Sequence, residues 1–98
     1  MFVNVIKTYR NVIAVCDKEL LGKKFGEGTF QLDIKENFYK GEEKSKEEVI
    51  KLMESFSNED ATFNIVGEKS ISAALKAGII DKKSIGKVKG IPFALILV

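Results

Sequence analysis

The string Asn64-Ile65-Val66-Gly67-Glu68-Lys69-Ser70 is the first place in this chain where residue types and spacing suggest chemistry. It reads as an apolar strand, a glycine turn and a helix start. The first N–H groups of a helix have no intrahelical partner, and with the helix dipole they favour a bound anion. Gly67, Lys69 and Ser70 are therefore the leading anion-binding candidates, and helical spacing puts Lys69, Ser72 and Lys76 on one outward face. Glu68 opposes the effect. If it turns away and the N–H groups face solvent beside Lys23 or Lys24, phosphate or sulfate should bind. The string is not a P-loop, which needs G-x-x-x-x-G-K-[ST]. Here Glu68 separates glycine from lysine and the first glycine is missing. A tight strand-to-helix turn accounts for the same residues.

A second candidate is Leu21-Gly22-Lys23-Lys24-Phe25-Gly26-Glu27-Gly28. Lys23 and Lys24 beside an aromatic and between glycines suit a loop that grips a phosphate backbone. The glycines do not match G-x-G-x-x-G, and a strand rather than a helix follows, unlike the GXXG loop of KH domains. The third candidate is the lysine set Lys82, Lys83, Lys87 and Lys89 with Lys76. Such a basic segment is the electrostatic footprint of a nucleic-acid binder. Against it stands the single arginine, Arg10, because arginine supplies most bidentate phosphate contacts. A solvated turn and a solvated lysine surface are the ordinary readings of both segments.

Catalytic groups are scarce. The chain has no histidine, so neither a Ser/His nor a Cys/His nucleophile pair can form. A zinc site built from cysteine and histidine is excluded as well, because Cys16 is the lone cysteine. Cys16 lies in the apolar run Val12–Cys16 and reads as a buried structural thiol. No metal site and no cofactor is expected. Glu42, Glu43, Glu47 and Glu48 lie on a loop and a helix start, where solvation explains them. Asp33, ending an apolar strand, is the one carboxylate in an unusual place.

These residues need elements to position them. Phe2–Thr8 and Val12–Cys16 read as two strands of an opening hairpin. Asp17 reads as the N-cap of a short turn over Lys18–Leu21, ended by Gly22. Phe25–Gly28 reads as a turn and Thr29–Ile34 as a strand with Phe30, Leu32 and Ile34 on one half-buried face. Asn37–Gly41 reads as a turn anchored by aromatics. Ser45 and Glu48 form a capping box for a helix Lys46–Phe56, whose Val49, Leu52, Met53 and Phe56 repeat at helical spacing. Thr62–Val66 is a strand and Glu68–Ala77 a second helix closed by Gly78. Lys87–Lys89 is a strand, Gly90-Ile91-Pro92 a turn, and Phe93–Leu97 a final strand.

The net charge of +2 hides an asymmetry. Residues 1–32 carry +2, residues 33–60 carry −4 and residues 61–98 carry +4. If these segments segregate in space, the protein has two differently charged faces. The chain holds 45% hydrophobic and 31% charged residues, which describes an ordered globular domain rather than a disordered tail. No apolar run reaches the roughly 18 residues that span a membrane, and the N-terminus lacks signal-peptide character. The lone cysteine fits a reducing cytoplasm, and lysine with glutamate enrichment hints at a heat-loving source.

The run Val15-Cys16-Asp17-Lys18-Glu19-Leu20-Leu21-Gly22-Lys23-Lys24-Phe25 resembles the opening of a small archaeal family of unknown function, number four-two-four. The resemblance continues in Leu32-Asp33 with Phe38-Tyr39-Lys40-Gly41, then in Asn64–Glu68, in Ala77-Gly78-Ile79-Ile80 and in Gly90-Ile91-Pro92. It covers nearly the whole chain in order and spacing. No block is specific alone; the set is. It implies an archaeal cytosolic protein with a link to RNA or the translation apparatus, and no known activity. After Gly90-Ile91-Pro92 the family often carries a histidine and a glutamine, where this chain has Phe93 and Leu95.

The sequence therefore leads to one α/β (α+β) domain over residues 1–98. Its expected core is a single mixed sheet of four to five strands packed on two main helices. The strand–helix–strand order of the second half permits a parallel pair there. The expected function is a non-catalytic module that binds RNA or a ribonucleoprotein through the basic C-terminal half. A protein-interaction or structural module, and a small enzyme acting on an anionic substrate, are the competing readings.

Overall fold

The structure is a computed structural model that describes residues 1–57 and 59–98. Strands β1 (Phe2–Lys7) and β2 (Asn11–Cys16) form the opening antiparallel hairpin, with Phe2 opposite Cys16 and Lys7 opposite Asn11. After a 3-10 turn at Lys18–Leu20 come β3 (Lys24–Glu27), β4 (Phe30–Asp33), the short helix α1 (Glu36–Tyr39) and β5 (Glu42–Glu43). Helix α2 (Lys46–Ser55), β6 (Ala61–Val66) and α3 (Glu68–Ala77) follow. A 3-10 turn at Lys82–Ser84, β7 (Gly86–Val88) and β8 (Ile91–Leu97) complete the described chain.

The main sheet has six strands in the order β5-β1-β2-β6-β8-β7, and β3 with β4 forms a separate two-stranded ribbon. This corrects the expected four to five strands. The additions are β5 in the main sheet, only two acidic residues long, and β3 in the ribbon, whose residues overlap the expected turn Phe25–Gly28. Neither carries the apolar alternation that marks a strand. The parallel pair also lies elsewhere than expected. It joins β2 to β6, while β6 and β8 run antiparallel. The chain leaving α3 makes β7 first and reverses into β8, which fixes that direction.

Alternation along the strands supplies two apolar faces. Val3, Ile13, Val15, Phe63, Ile65 and Ala94 point to one side, where α2 contributes Val49 and Met53 and α3 contributes Ile71, Ala73 and Ala74. The opposite face holds Ala14, Cys16 and Val66, covered by Leu20, Ile34 and Tyr39, with Phe25, Leu32 and Phe38 packed at the margin. That cover is partial. In the row Ile6–Val12–Thr62–Leu97, Leu97 is 72% exposed, and Leu95 in the next row is 64% exposed.

Local chemistry sets the helix ends. Ser45 Oγ accepts from the Glu48 amide and Glu48 returns the bond to the Ser45 amide, as the capping box requires. Gly78 ends α3 in the left-handed region at φ 77°. The last hairpin turns on Lys89-Gly90, both at positive φ (51° and 76°), so Ile91 and Pro92 belong to β8 rather than to the turn. Two consecutive left-handed residues make the tight loop that matches strand twist. Pro92 is tolerated because β6 has ended: the Gly67 amide donates to the Pro92 carbonyl and no ladder bond needs a Pro92 N–H.

Candidate functional site

Register places Asp17 and Gly67 side by side, each one residue beyond the paired ends Cys16 and Val66 of β2 and β6. The carboxyl ends of parallel strands are where open α/β sheets usually bind ligands. Here the position is filled by the protein itself. Asp17 Oδ1 accepts from the Ser70 amide at 2.8 Å and the Ser70 hydroxyl at 2.7 Å, and Oδ2 accepts from the Lys69 amide at 3.1 Å. Asp17 and Ser70 are buried. Gly67 carries φ 109°, and a Cβ there would lie 2.3 Å from Asp17 Cγ. Only glycine lets the carboxylate reach the helix.

This corrects the anion site expected at Gly67, Lys69 and Ser70. The donors that would grip an external phosphate already hold a carboxylate, which favours that end of the dipole as an anion would. Asp17 was expected to cap the 3-10 turn that follows it, yet makes no side-chain bond there. It caps α3, across 52 residues of sequence, instead. The adjoining cleft, about 170 Å³, is lined by Glu19, Glu68 and Lys69 among others, and neither Lys23 nor Lys24 reaches it. Both are exposed at the start of the β3–β4 ribbon, where Lys24 Nζ lies 3.9 Å from Asp33.

Four lysines of the third candidate set lie on β7 and the turns that flank it. Lys82 and Lys83 lie on the 3-10 turn leading into β7, Lys87 lies on β7, and Lys89 lies in the turn after it. Lys76 projects from the last turn of α3. All are exposed, and none forms an ion pair among the described residues. Two of the nearby acids are engaged with backbone donors. Asp81 accepts from the Lys83 and Ser84 amides, and Glu27 accepts from the Lys89 amide at 2.6 Å. Beside β7, a groove of about 240 Å³ is lined by the apolar Ile71, Leu75, Ile85 and Pro92 and by Glu68, Ser72 and Lys87.

The opposite edge of the sheet is β5, with Glu42 and Glu43. There the charges are matched: Lys44 lies 3.3 Å from Glu42 and Lys18 lies 3.2 Å from Glu43. The pair Glu42-Glu43 and the lysines of β7 thus lie at opposite edges of the sheet.

Arg10 has a role its sequence position does not signal. Its Nε donates to Thr62 Oγ1 and its Nη2 donates to the carbonyls of Ala61 and Val98, tying the open ends of three strands together. The one arginine therefore serves the fold. Cys16 and Tyr39 offer no activated group. Burial, then the charge of Asp17, pushes the Cys16 thiol up to about 11, and burial, then Cys16, pushes the Tyr39 phenol up to about 12. Among the described residues no group of three or more acidic or cysteine side chains could hold a metal, and no helix is long and apolar enough to cross a membrane.

A crystal structure described as an uncharacterized conserved protein from Methanopyrus kandleri is similar in fold and sequence. It superposes with a TM-score of 0.85 at 26% identity, over 99% of this chain and 90% of that one. No curated protein matches the chain. The model of the family described as protein of unknown function (DUF424) matches residues 6–98. With nearly its whole length matched, and with the fold shared, the chain belongs to the DUF424 family.

Proposed function

We propose that this domain is a non-catalytic module that binds RNA, free or within a ribonucleoprotein, along the β7 edge. One observation carries the reading: Lys82, Lys83, Lys87 and Lys89 lie on β7 and the turns that flank it, exposed and, among the described residues, without ion-pair partners, at the far side of the sheet from the acid pair of β5. Unpaired lysines release counterions when they meet phosphates, and this drives sequence-independent affinity. A filter-binding titration with mixed RNA at two salt concentrations tests it. Affinity should fall steeply with salt, with a log–log slope of about −0.7 per phosphate contacted. Lys87→Glu with Lys89→Glu should abolish most of the binding. No retention at low salt overturns the reading. A reducing cytoplasm and a heat-loving source belong to this reading, supported by the lone buried cysteine and the lysine-rich, glutamate-rich composition.

A protein-interaction module is the second reading. The exposed Leu95 and Leu97 on the open half of the sheet favour it. An enzyme acting on an anionic substrate has less support, because Asp17 holds the α3 N–H groups such a substrate would use.

A further inference from the structure

We infer that the RNA taken by the β7 edge is an unpaired strand, with one base stacked on Phe30 and an adjoining phosphate held by Lys89. This rests on the RNA-binding reading and adds to it the class of RNA and the aromatic that recognises it. Phe30 opens β4 and is 66% exposed. Leu32, on the same side of that strand, and Phe25, opposite Leu32, pack against the second apolar cluster. The Phe30 ring therefore continues the packed side of the ribbon beyond the point where cover ends. Glu27, the register partner of Phe30, accepts from the Lys89 amide at 2.6 Å. That bond joins the tips of two hairpins, with Glu27 linking the strand position opposite Phe30 to the Lys89 turn. Lys89 is also the one described non-glycine residue at positive φ (51°), in a turn that glycine or asparagine fills with less strain. A lysine held there against its backbone preference points to use of its side chain.

Three features favour an unpaired strand over a duplex. The Arg10 guanidinium, the best reader of paired bases, is engaged by Thr62, Ala61 and Val98. The exposed face of α2 carries Glu47, Glu48 and Glu54, and α3 opens on Glu68, charges that oppose entry of either helix into a phosphate-lined groove. An exposed aromatic finds no open base face in a stacked duplex, whereas unpaired bases stack on such rings regardless of sequence.

The test is fluorescence anisotropy with a labelled RNA of about 10 nucleotides, within the usual footprint of such platforms. It is run with the strand alone and with the strand annealed to its complement. The single strand should bind more tightly. Phe30→Ala and Phe30→Leu should each weaken it roughly 5–150-fold without changing the salt slope, and Phe30→Trp should restore it. Lys89→Ala should reduce the salt slope by about 0.7. Thermal melts confirm that the variants fold. Equal or tighter duplex binding, or unchanged affinity in both Phe30→Ala and Phe30→Leu, overturns this inference while leaving the basic edge as an RNA site. No binding of either RNA by the wild-type protein overturns both.

Discussion

Asp17 Oδ1 accepts both the amide and the hydroxyl of Ser70, at 2.8 and 2.7 Å, so one buried carboxylate fastens the end of β2 to the first turn of α3. Gly67 makes room for it. This trio is the structural keystone of the parallel β2–β6 pair, and its removal has calculable consequences.

Asp17→Ala leaves the Lys69 and Ser70 donors without a partner in a closed site, and should destabilise the fold by about 2–4 kcal/mol in urea denaturation. Gly67→Ala should cost at least about 2 kcal/mol, because it combines a left-handed backbone with a Cβ set against the carboxylate. Ser70→Ala keeps the amide bond and should lose only about 0.5–1.5 kcal/mol. Equal costs for all three would contradict the arrangement.

Arg10→Lys keeps the charge but loses the planar fork that reaches Thr62, Ala61 and Val98 together. A loss of about 1–2 kcal/mol is expected, with hydrogen exchange at the ends of β6 and β8 rising most. A change in RNA affinity comparable to that of the β7 lysine variants would show that Arg10 serves the ligand as well.

Lys89→Gly should separate stability from binding. Glycine relieves the left-handed turn and should raise stability by a few tenths to about 1 kcal/mol, while the lost charge weakens RNA. Melting temperature and anisotropy, measured on the same preparation, read the two effects. A variant that is less stable would remove the strain argument.

Alkaline pH should unfold the protein through its buried neutral groups. Cys16 and Tyr39 titrate at about 11 and about 12 when folded, above their ordinary values of 9.0 and 10.0. Each therefore contributes stability that is complete below its unfolded value and is lost as pH rises through its folded one. Denaturant midpoints should fall across roughly pH 9–12, and Tyr39→Phe should flatten the upper part of that decline. For the same reason the Cys16 thiol should resist a disulfide reagent at neutral pH until the chain is unfolded.

Much of this protein is legible in one dimension. The capping box Ser45–Glu48, the α3 limits at Gly67 and Gly78, and the opening hairpin are set by neighbours within a turn of one another, so local rules locate them. The basic C-terminal segment is equally plain, because charge is counted residue by residue. What the sequence could not show depends on contacts between distant segments. β5 exists as a strand only because β1 offers it an edge, and its Glu42-Glu43 carries no apolar pattern to announce it. Asp17 looks like the cap of the turn it precedes. Its role as the cap of α3, which closes the expected anion site, follows from the parallel pairing of β2 with β6, a long-range choice that two apolar faces and their covering layers decide together. Glu27 and Lys89 lie 62 positions apart in the chain, and only the bond between two hairpin tips brings them together.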